Sequence, residues 1–185
     1  MCNKEFSREI EKKEKLLEKT EKYVRYNDKI RMVHKLTSKR LSGESDVCAF
    51  LEHYLRRAYG WIILDPSGEE TRREIKDGDV IQLIHQFNDE YLAHSSQGSS
   101  PVSKLGLITT VKQEDIVDSS QNWIVRLNKQ KHLSYFNTFA LENEKSGCYL
   151  YSHNVEFSEG NEVVCKEKSI DENNLWFFIY GYPYE

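Results

Sequence analysis

Three ten-residue segments of the chain align with one another without gaps, and this internal repeat constrains the fold more than any other feature. The segments are residues 32–41, 83–92 and 141–150. Each opens on an apolar residue, has another apolar residue two positions earlier, passes through a turn and closes on leucine. Apolar residues at every second position before a turn predict a strand that leads into a tight hairpin.

Two further strand signals follow each segment. The first is a run rich in β-branched or small apolar residues, at residues 47–50, 107–111 and 163–165. The second is a strand that begins with one of the three tryptophans, Trp61, Trp123 and Trp176. One such unit cannot bury its apolar face alone, whereas three around a common axis cover each other. The sequence therefore predicts an all-β fold, a β-trefoil of three pseudo-repeats; an unrelated β-sandwich is the alternative.

The first 26 residues have a different pattern. Glu and Lys alternate without glycine or proline, and several Glu residues precede a base by four positions, which favours a solvated helix. We predict an N-terminal charged α-helix over residues 1–26 and a trefoil domain over residues 27–185. The helix has a thin apolar stripe that packs on the domain or, alternatively, associates with a partner. The stripe consists of Phe6, Ile10, Leu17 and Val24.

Charge and hydropathy exclude several classes of function. Asp and Glu outnumber Lys and Arg by 30 to 26, giving a net charge of −4. Because a phosphate backbone requires a basic face, we expect no nucleic-acid partner. No apolar run is long enough to span a bilayer, and the N-terminus lacks the apolar segment of a secretory signal. We therefore expect no membrane insertion and, provided that Met1 is the natural start, a cytoplasmic location.

No combination of residues predicts catalysis. The sequence has no glycine-rich phosphate loop, no HExxH and no CxxC. The four cysteines lack metal-ligand spacing, and in the cytoplasm we expect reduced, buried thiols, although Cys148 and Cys165 could face each other in a hairpin. His34 and His85 hold equivalent strand positions, which favours a structural role over a metal site. We expect a protein without catalytic residues, cofactor or metal.

The third unit contains three segments with a recognisable pattern. They are YLYSH at residues 149–153, NEVVC at residues 161–165 and DENNLWFF at residues 171–178. Together they resemble the MIR domain, a β-trefoil module of protein O-mannosyltransferases, inositol trisphosphate receptors, ryanodine receptors and stromal cell-derived factor type proteins. The resemblance extends over about residues 27–181, most clearly in the third unit, with Tyr151 where that family usually has histidine.

Candidate ligand-binding residues stand just past the second strand of the second and third units. They are Tyr151, Ser152, His153, His94 and Ser95. An aromatic ring beside hydroxyl and imidazole groups suits a sugar, which presents an apolar face and pairs of hydroxyls. The MIR resemblance implies such a pocket in some members, where the corresponding segment contacts mannose. The alternative is that these residues only close the turn.

The sequence thus predicts a non-catalytic MIR-type binding module with a protein partner, acting as an interaction or adaptor domain. The alternative is a lectin-like domain that binds mannose-type glycans. A third class, an inositol-phosphate binder, requires basic side chains that converge on one loop face. The candidates for that face are Arg40, Arg56, Arg57 and Lys131.

Overall fold

In a computed structural model that describes residues 23–43, 48–50, 59–157, 160–167 and 170–181, the chain forms twelve antiparallel strands. Two short 3-10 turns, Gln113–Asp115 and Glu172–Asn174, precede the strands that begin with Trp123 and Trp176. Among the described residues, no helix has the length and apolar character needed to cross a membrane. The strands are β1 (Lys29–His34), β2 (Arg40–Ser42), β3 (Cys48–Phe50), β4 (Trp61–Leu64), β5 (Val80–His85), β6 (Tyr91–Ser99), β7 (Gly106–Val111), β8 (Trp123–Leu127), β9 (Phe139–Asn143), β10 (Tyr149–Phe157), β11 (Gly160–Lys166) and β12 (Trp176–Tyr180).

Six of these strands close into a barrel. The antiparallel pairs β1–β4, β4–β5, β5–β8, β8–β9, β9–β12 and β12–β1 form a complete ring. The other six form the hairpins β2–β3, β6–β7 and β10–β11, and β11 also pairs with β3 and β7. Closure leaves the barrel without a free edge. Each unit supplies two barrel strands and one hairpin, which confirms the predicted all-β trefoil.

The apolar positions that define the repeat form the core. Each position is occupied once per unit, and the side chains are almost completely shielded from solvent. Burial of one such side chain stabilises the folded state by about 1.5–3 kcal/mol. The alternating apolar residues of the three units together therefore provide much of the hydrophobic stabilisation of the fold. Three of these equivalent sets are Ile30, Ile81 and Phe139; Met32, Leu83 and Leu141; and Leu41, Leu92 and Leu150.

The tryptophans join the barrel to the hairpins through the same hydrogen bond in each unit. The buried indole nitrogen donates to the carbonyl of the leucine that closes the ten-residue segment, at 2.9 to 3.2 Å. A buried N–H requires an acceptor, and this carbonyl supplies it. The pairs are Trp61 with Leu41, Trp123 with Leu92, and Trp176 with Leu150.

Histidine covers the tryptophan of the neighbouring unit at two of the three junctions. The ring centroids of His34 and Trp176 are 4.8 Å apart, and those of His85 and Trp61 are 5.0 Å apart. The His34 ring also bonds Thr37 in the hairpin turn at 2.9 Å. Burial lowers the pKa of His34, which favours the neutral ring. The structure thus places both histidines in the structural role that the sequence favoured.

A cycle of backbone hydrogen bonds closes the base of the barrel. The amide of Val24 donates to the carbonyl of Leu133 at 2.9 Å, Leu133 donates to Ile75 at 2.8 Å, and Ile75 donates to Val24 at 3.0 Å. All three side chains are fully buried. The cycle takes one residue from each unit, so Val24 belongs to the first trefoil unit.

This cycle corrects the end of the predicted N-terminal helix. Residues 1–22 lie outside the described residues, so the helix and the stripe positions within them stay predictions. Residues 23–26 are not helical, because Tyr23 and Arg25 form isolated bridges to other units and Val24 enters the core. Val24 is therefore unavailable for association with a partner. The local charge pattern could not reveal bonds made to residues 50 and more positions away.

We expect Val24→Ala to destabilise the protein by about 1–3 kcal/mol, because it opens a cavity where the three units meet. The matched control is Val117→Ala, since that side chain is 91% exposed; it should change the free energy of unfolding by less than about 0.5 kcal/mol. Urea unfolding followed by tryptophan fluorescence measures both. Equal effects of the two substitutions would place Val24 outside the core.

Candidate functional site

The predicted residues Tyr151, Ser152 and His153 lie together in β10, but most of their polar and aromatic surface is already occupied. The Ser152 hydroxyl is fully buried and donates to the carbonyl of Glu162 at 3.0 Å. The Tyr151 ring is buried, and the ammonium group of Lys166 lies 4.6 Å from its centroid. Only His153 keeps appreciable exposure, at 20% of its side chain. A ligand at this place would therefore meet mainly the imidazole.

His153 bonds to a carboxylate that the sequence analysis did not identify. Its Nε2 lies 2.8 Å from Oε2 of Glu162, whose side chain is only 2% exposed. The other carboxylate oxygen accepts from the backbone amide of Ser103 at 3.1 Å. Burial raises the pKa of Glu162, but the hydrogen bonds from His153 and Ser103 outweigh it and hold the pKa below its usual 4.5. In the sequence, Glu162 has the ordinary appearance of a polar residue in a strand.

The residues around Glu162 belong to all three units. His153 belongs to the third unit and Ser103 to the second. From the first unit, the ammonium group of Lys39 donates to the side-chain oxygen of Asn161, the neighbour of Glu162, at 2.5 Å. This convergence depends on β11 pairing with both β3 and β7. The cluster therefore holds the three hairpins together, whatever ligand the exposed edge of His153 meets.

The other two predicted residues, His94 and Ser95, lie in β6 and have different neighbours. The Ser95 hydroxyl donates to the carbonyl of Gln97 at 3.0 Å. The His94 imidazole faces Cys148 and Cys165, and one ligand atom from each of these three residues lies within 4.8 Å of the others. Burial and, to a lesser degree, the nearby charge of Lys145 lower the pKa of His94. The five predicted residues thus form two groups.

Cys148 and Cys165 form a disulfide, which corrects the expectation of reduced thiols. Leu150 pairs with Cys165 across β10 and β11. This register brings the Cα atoms of Cys148 and Cys165 to 5.5 Å, within the normal range for a disulfide. That expectation depended on the compartment inferred from the sequence. Disulfides persist in oxidising compartments, so the bridge does not support the cytoplasmic location, which stays a prediction.

The basic residues considered for inositol phosphate do not converge in the described part of the chain. Arg40 lies in the hairpin strand β2, whereas Lys131 lies at the base of the barrel, where its carbonyl accepts from Asp77. Arg56 and Arg57 lie outside the described residues. The structure therefore gives no support to a basic loop face built from Arg40 and Lys131.

A groove of about 470 Å³ lies between the β8–β9 pair and the Glu172–Asn174 turn. The buried residues Phe139 and Ala140 contribute to its floor, and Ile170, 50% exposed, lies on its rim. Asp171 and Glu172 stand beside Ile170. This groove could not be predicted from the sequence, because its walls are about 30 residues apart in the chain. In the sequence, the only indication of the groove is an isoleucine directly before two acidic residues.

The groove carries negative charge. Its one arginine, Arg126, donates to the carboxylate of Glu142 at 2.6 Å and is thereby paired within the sheet. Asp171 caps the 3-10 turn by accepting from the backbone amide of Asn173 at 2.8 Å, but its side chain is still 41% exposed. Glu172 is exposed. The ammonium group of Lys166 lies 3.9 Å from Oδ2 of Asp171 and partly offsets its charge. The groove thus combines apolar surface with two carboxylates, of which Glu172 is the more accessible.

Comparisons with known proteins agree with the fold. Neither a protein-family model nor a curated protein matches the sequence. Among solved structures, the SDF2-like protein from Arabidopsis thaliana matches with a TM-score of 0.76 and 20% identity, over 85% of this chain and 97% of that one. An S. cerevisiae protein O-mannosyltransferase complex bound to the sugar donor matches with a TM-score of 0.74 and 20% identity, over 85% of this chain but 25% of that one.

A third similar structure is a lectin from Polyporus squamosus, bound to a human-type influenza-binding epitope. It matches with a TM-score of 0.60 and 12% identity, over 83% of this chain and 49% of that one. At identities of 20% and below, these likenesses show the fold alone. This fold is the β-trefoil, and the MIR-type identity that the third-unit motifs indicated stays a prediction.

Acid should weaken the protein partly through Glu162. Because its pKa is lower folded than unfolded, its stabilising effect is complete above the unfolded value and is lost as the pH falls through the folded value. Glu162→Gln should cost roughly 1–3 kcal/mol at neutral pH, since a bond to a charged group is lost. Below about pH 4 the difference from the unmodified protein should shrink. Urea unfolding at several pH values measures this, and a difference that stays constant with pH would contradict it.

Proposed function

We propose that this chain is a non-catalytic binding module that takes a protein partner in the groove between β8–β9 and the Glu172–Asn174 turn. The partner presents an extended segment with an apolar side chain close to a basic one. The observation that carries this proposal is the half-exposed Ile170 at the edge of an apolar floor, with Asp171 and Glu172 beside it.

The apolar part of the groove supplies affinity. An apolar side chain placed against Ile170, Leu127 and Leu175 would remove surface from water on both partners, at about 25 cal/mol per Å². A few buried anchors of this kind dominate most interfaces. The groove therefore favours a partner with at least one large apolar residue.

The two carboxylates supply selectivity. Asp171 and Glu172 attract a Lys or Arg that follows the apolar anchor, and they repel acidic segments. Because these carboxylates are exposed, their effect on affinity is screened by salt and falls at high ionic strength. The expected partner is thus basic at the site of contact.

The lining of the groove supports binding over catalysis. Among the described residues that line it, there is no histidine, cysteine or lysine to act as base or nucleophile, and the nearby Lys166 is paired with Asp171 at 3.9 Å. The buried Glu162 and its partner His153 lie at another place and are held by structural contacts. The similarity to the mannosyltransferase concerns only 25% of that chain, so it carries no inference of enzymatic activity.

A lectin-like function for mannose-type glycans is the alternative. It is favoured by the shared fold of a glycan-bound lectin and by the partly exposed His153. Against it, Ser152 and Tyr151 are occupied by Glu162 and Lys166, so a sugar would gain neither the hydroxyl nor the ring face. The groove keeps exposed apolar and acidic groups and is the better supported site.

We expect random peptides selected on the immobilised protein to contain an apolar residue close to Lys or Arg. Binding of a selected peptide should weaken at least about tenfold in Ile170→Asp, since a charge in the apolar edge removes a central anchor. Val117→Asp is the matched control, because that valine is equally apolar, 91% exposed and outside the groove. Isothermal titration calorimetry measures the affinities.

Two results would contradict the proposal. One is a set of peptides that bind Ile170→Asp as tightly as the unmodified protein. The other is an amide NMR titration in which mannose or mannobiose shifts the signals of β10 while selected peptides leave the groove unchanged. The second result would establish the lectin-like alternative in its place.

A further inference from the structure

The cluster of His94, Cys148 and Cys165 lies outside the proposed groove. One ligand atom from each residue lies within 4.8 Å of the other two. Both cysteines are buried and His94 is half-buried, so the cluster has one accessible side. His94 comes from the hairpin of the second unit and both cysteines from the third, so the cluster bridges two units.

The donor atoms are those of a thiophilic metal site. Two thiolates and one imidazole form a known ligand set for Zn²⁺ that leaves a fourth position open. With bonds of about 2.3 Å to sulfur and about 2.1 Å to nitrogen, ligand atoms around such an ion lie roughly 3.5–4 Å apart. The three ligand atoms, all within 4.8 Å of one another, can reach these separations once the sulfur atoms are no longer bonded to each other.

The His94 imidazole lies beside the two sulfurs. Neither of its ring nitrogens has a hydrogen-bond partner among the described residues. Gly106 makes the approach possible, because a Cβ at that position would lie 2.7 Å from Nε2 of His94 and 3.1 Å from Cβ of Cys165. The Ser146 hydroxyl donates to Oδ1 of Asn143 at 3.0 Å and lies 2.9 Å from the sulfur of Cys148, so a rotation of its O–H would let it donate to a thiolate instead.

The second unit shows that the hairpin does not require a covalent bridge at this position. Leu92 pairs with Thr110 as Leu150 pairs with Cys165, so Thr110 is the equivalent of Cys165. There, the hydroxyl of Thr110 donates to the carboxylate of Glu90 at 2.5 Å. In the second unit a hydrogen bond thus joins the two hairpin strands at the place where a disulfide joins them in the third. We therefore expect the third hairpin to keep its fold when the disulfide is reduced.

We propose that the cluster is a redox-gated metal site, in which reduction of the Cys148–Cys165 disulfide opens a site for Zn²⁺ ligated by His94, Cys148 and Cys165. A dithiol supplies two electrons and two protons to the disulfide and becomes a disulfide itself. The two thiols of the protein then release two protons as they bind the ion. In the oxidised protein neither sulfur is a thiolate, so the site is closed.

Co²⁺ is the probe, because thiolate ligands give it charge-transfer and visible absorption bands. The protein for this test carries Cys2→Ser and Cys48→Ser, so that only the cluster supplies thiols, and a phosphine reduces the disulfide. We expect one equivalent of Co²⁺ to bind the reduced protein, with bands displaced by Zn²⁺, and no such bands in the oxidised protein. His94→Gln should weaken binding at least about 100-fold, and the control His132→Gln, at the base of the barrel, should not.

The indole N–H signals in the NMR spectrum report whether the reduced protein and each variant keep the trefoil. The proposal is overturned if the reduced protein binds no metal in stoichiometric amount, whether folded or not. It is also overturned if His94→Gln binds Co²⁺ as tightly as the parent with the same absorption bands, because the imidazole is then not a ligand.

Discussion

The hydrogen bond from a buried indole to a leucine carbonyl is the interaction on which the trefoil depends, since it joins a hairpin to the barrel once in every unit. Each bond contributes only about 1 kcal/mol net, but an indole N–H left buried without an acceptor would cost about 1–3 kcal/mol. The packing around it is correspondingly tight. At Gly43, a Cβ would lie 2.8 Å from both Trp61 and His85, so no side chain fits there.

The threefold pattern is strict in the core and varies where a second role is available. The position two residues after the closing leucine is Gly43 in the first unit, His94 in the second and Ser152 in the third. The glycine gives room to a tryptophan, the serine bonds to Glu162, and the histidine faces two sulfurs. Equivalent backbone positions thus carry different chemistry. This is the usual way in which a fold acquires sites without changing its architecture.

The sequence was sufficient for the trefoil because the same apolar and tryptophan positions recur three times, and burial follows directly from that recurrence. It was insufficient for Val24, which follows a helix-like charge pattern but is held in the core by backbone bonds to Ile75 and Leu133. It placed Tyr151 and Ser152 at an accessible end, whereas β10 continues to Phe157 and keeps both within the sheet. The groove brings β8 and β9 to a turn that is distant in the sequence, which no local pattern reveals. The Cys148–Cys165 bridge was compatible with the spacing and was set aside only because of the inferred compartment.

Hydrogen exchange of the three indole N–H groups, followed by NMR, tests the central claim most directly. If the three bonds hold one cooperative trefoil, all three protons exchange only when the whole protein unfolds, and they report the same free energy. That free energy should equal the value from urea unfolding. An indole that exchanges through a separate opening of lower free energy, while the other two stay protected, would contradict the account, because one hairpin would then leave the barrel alone.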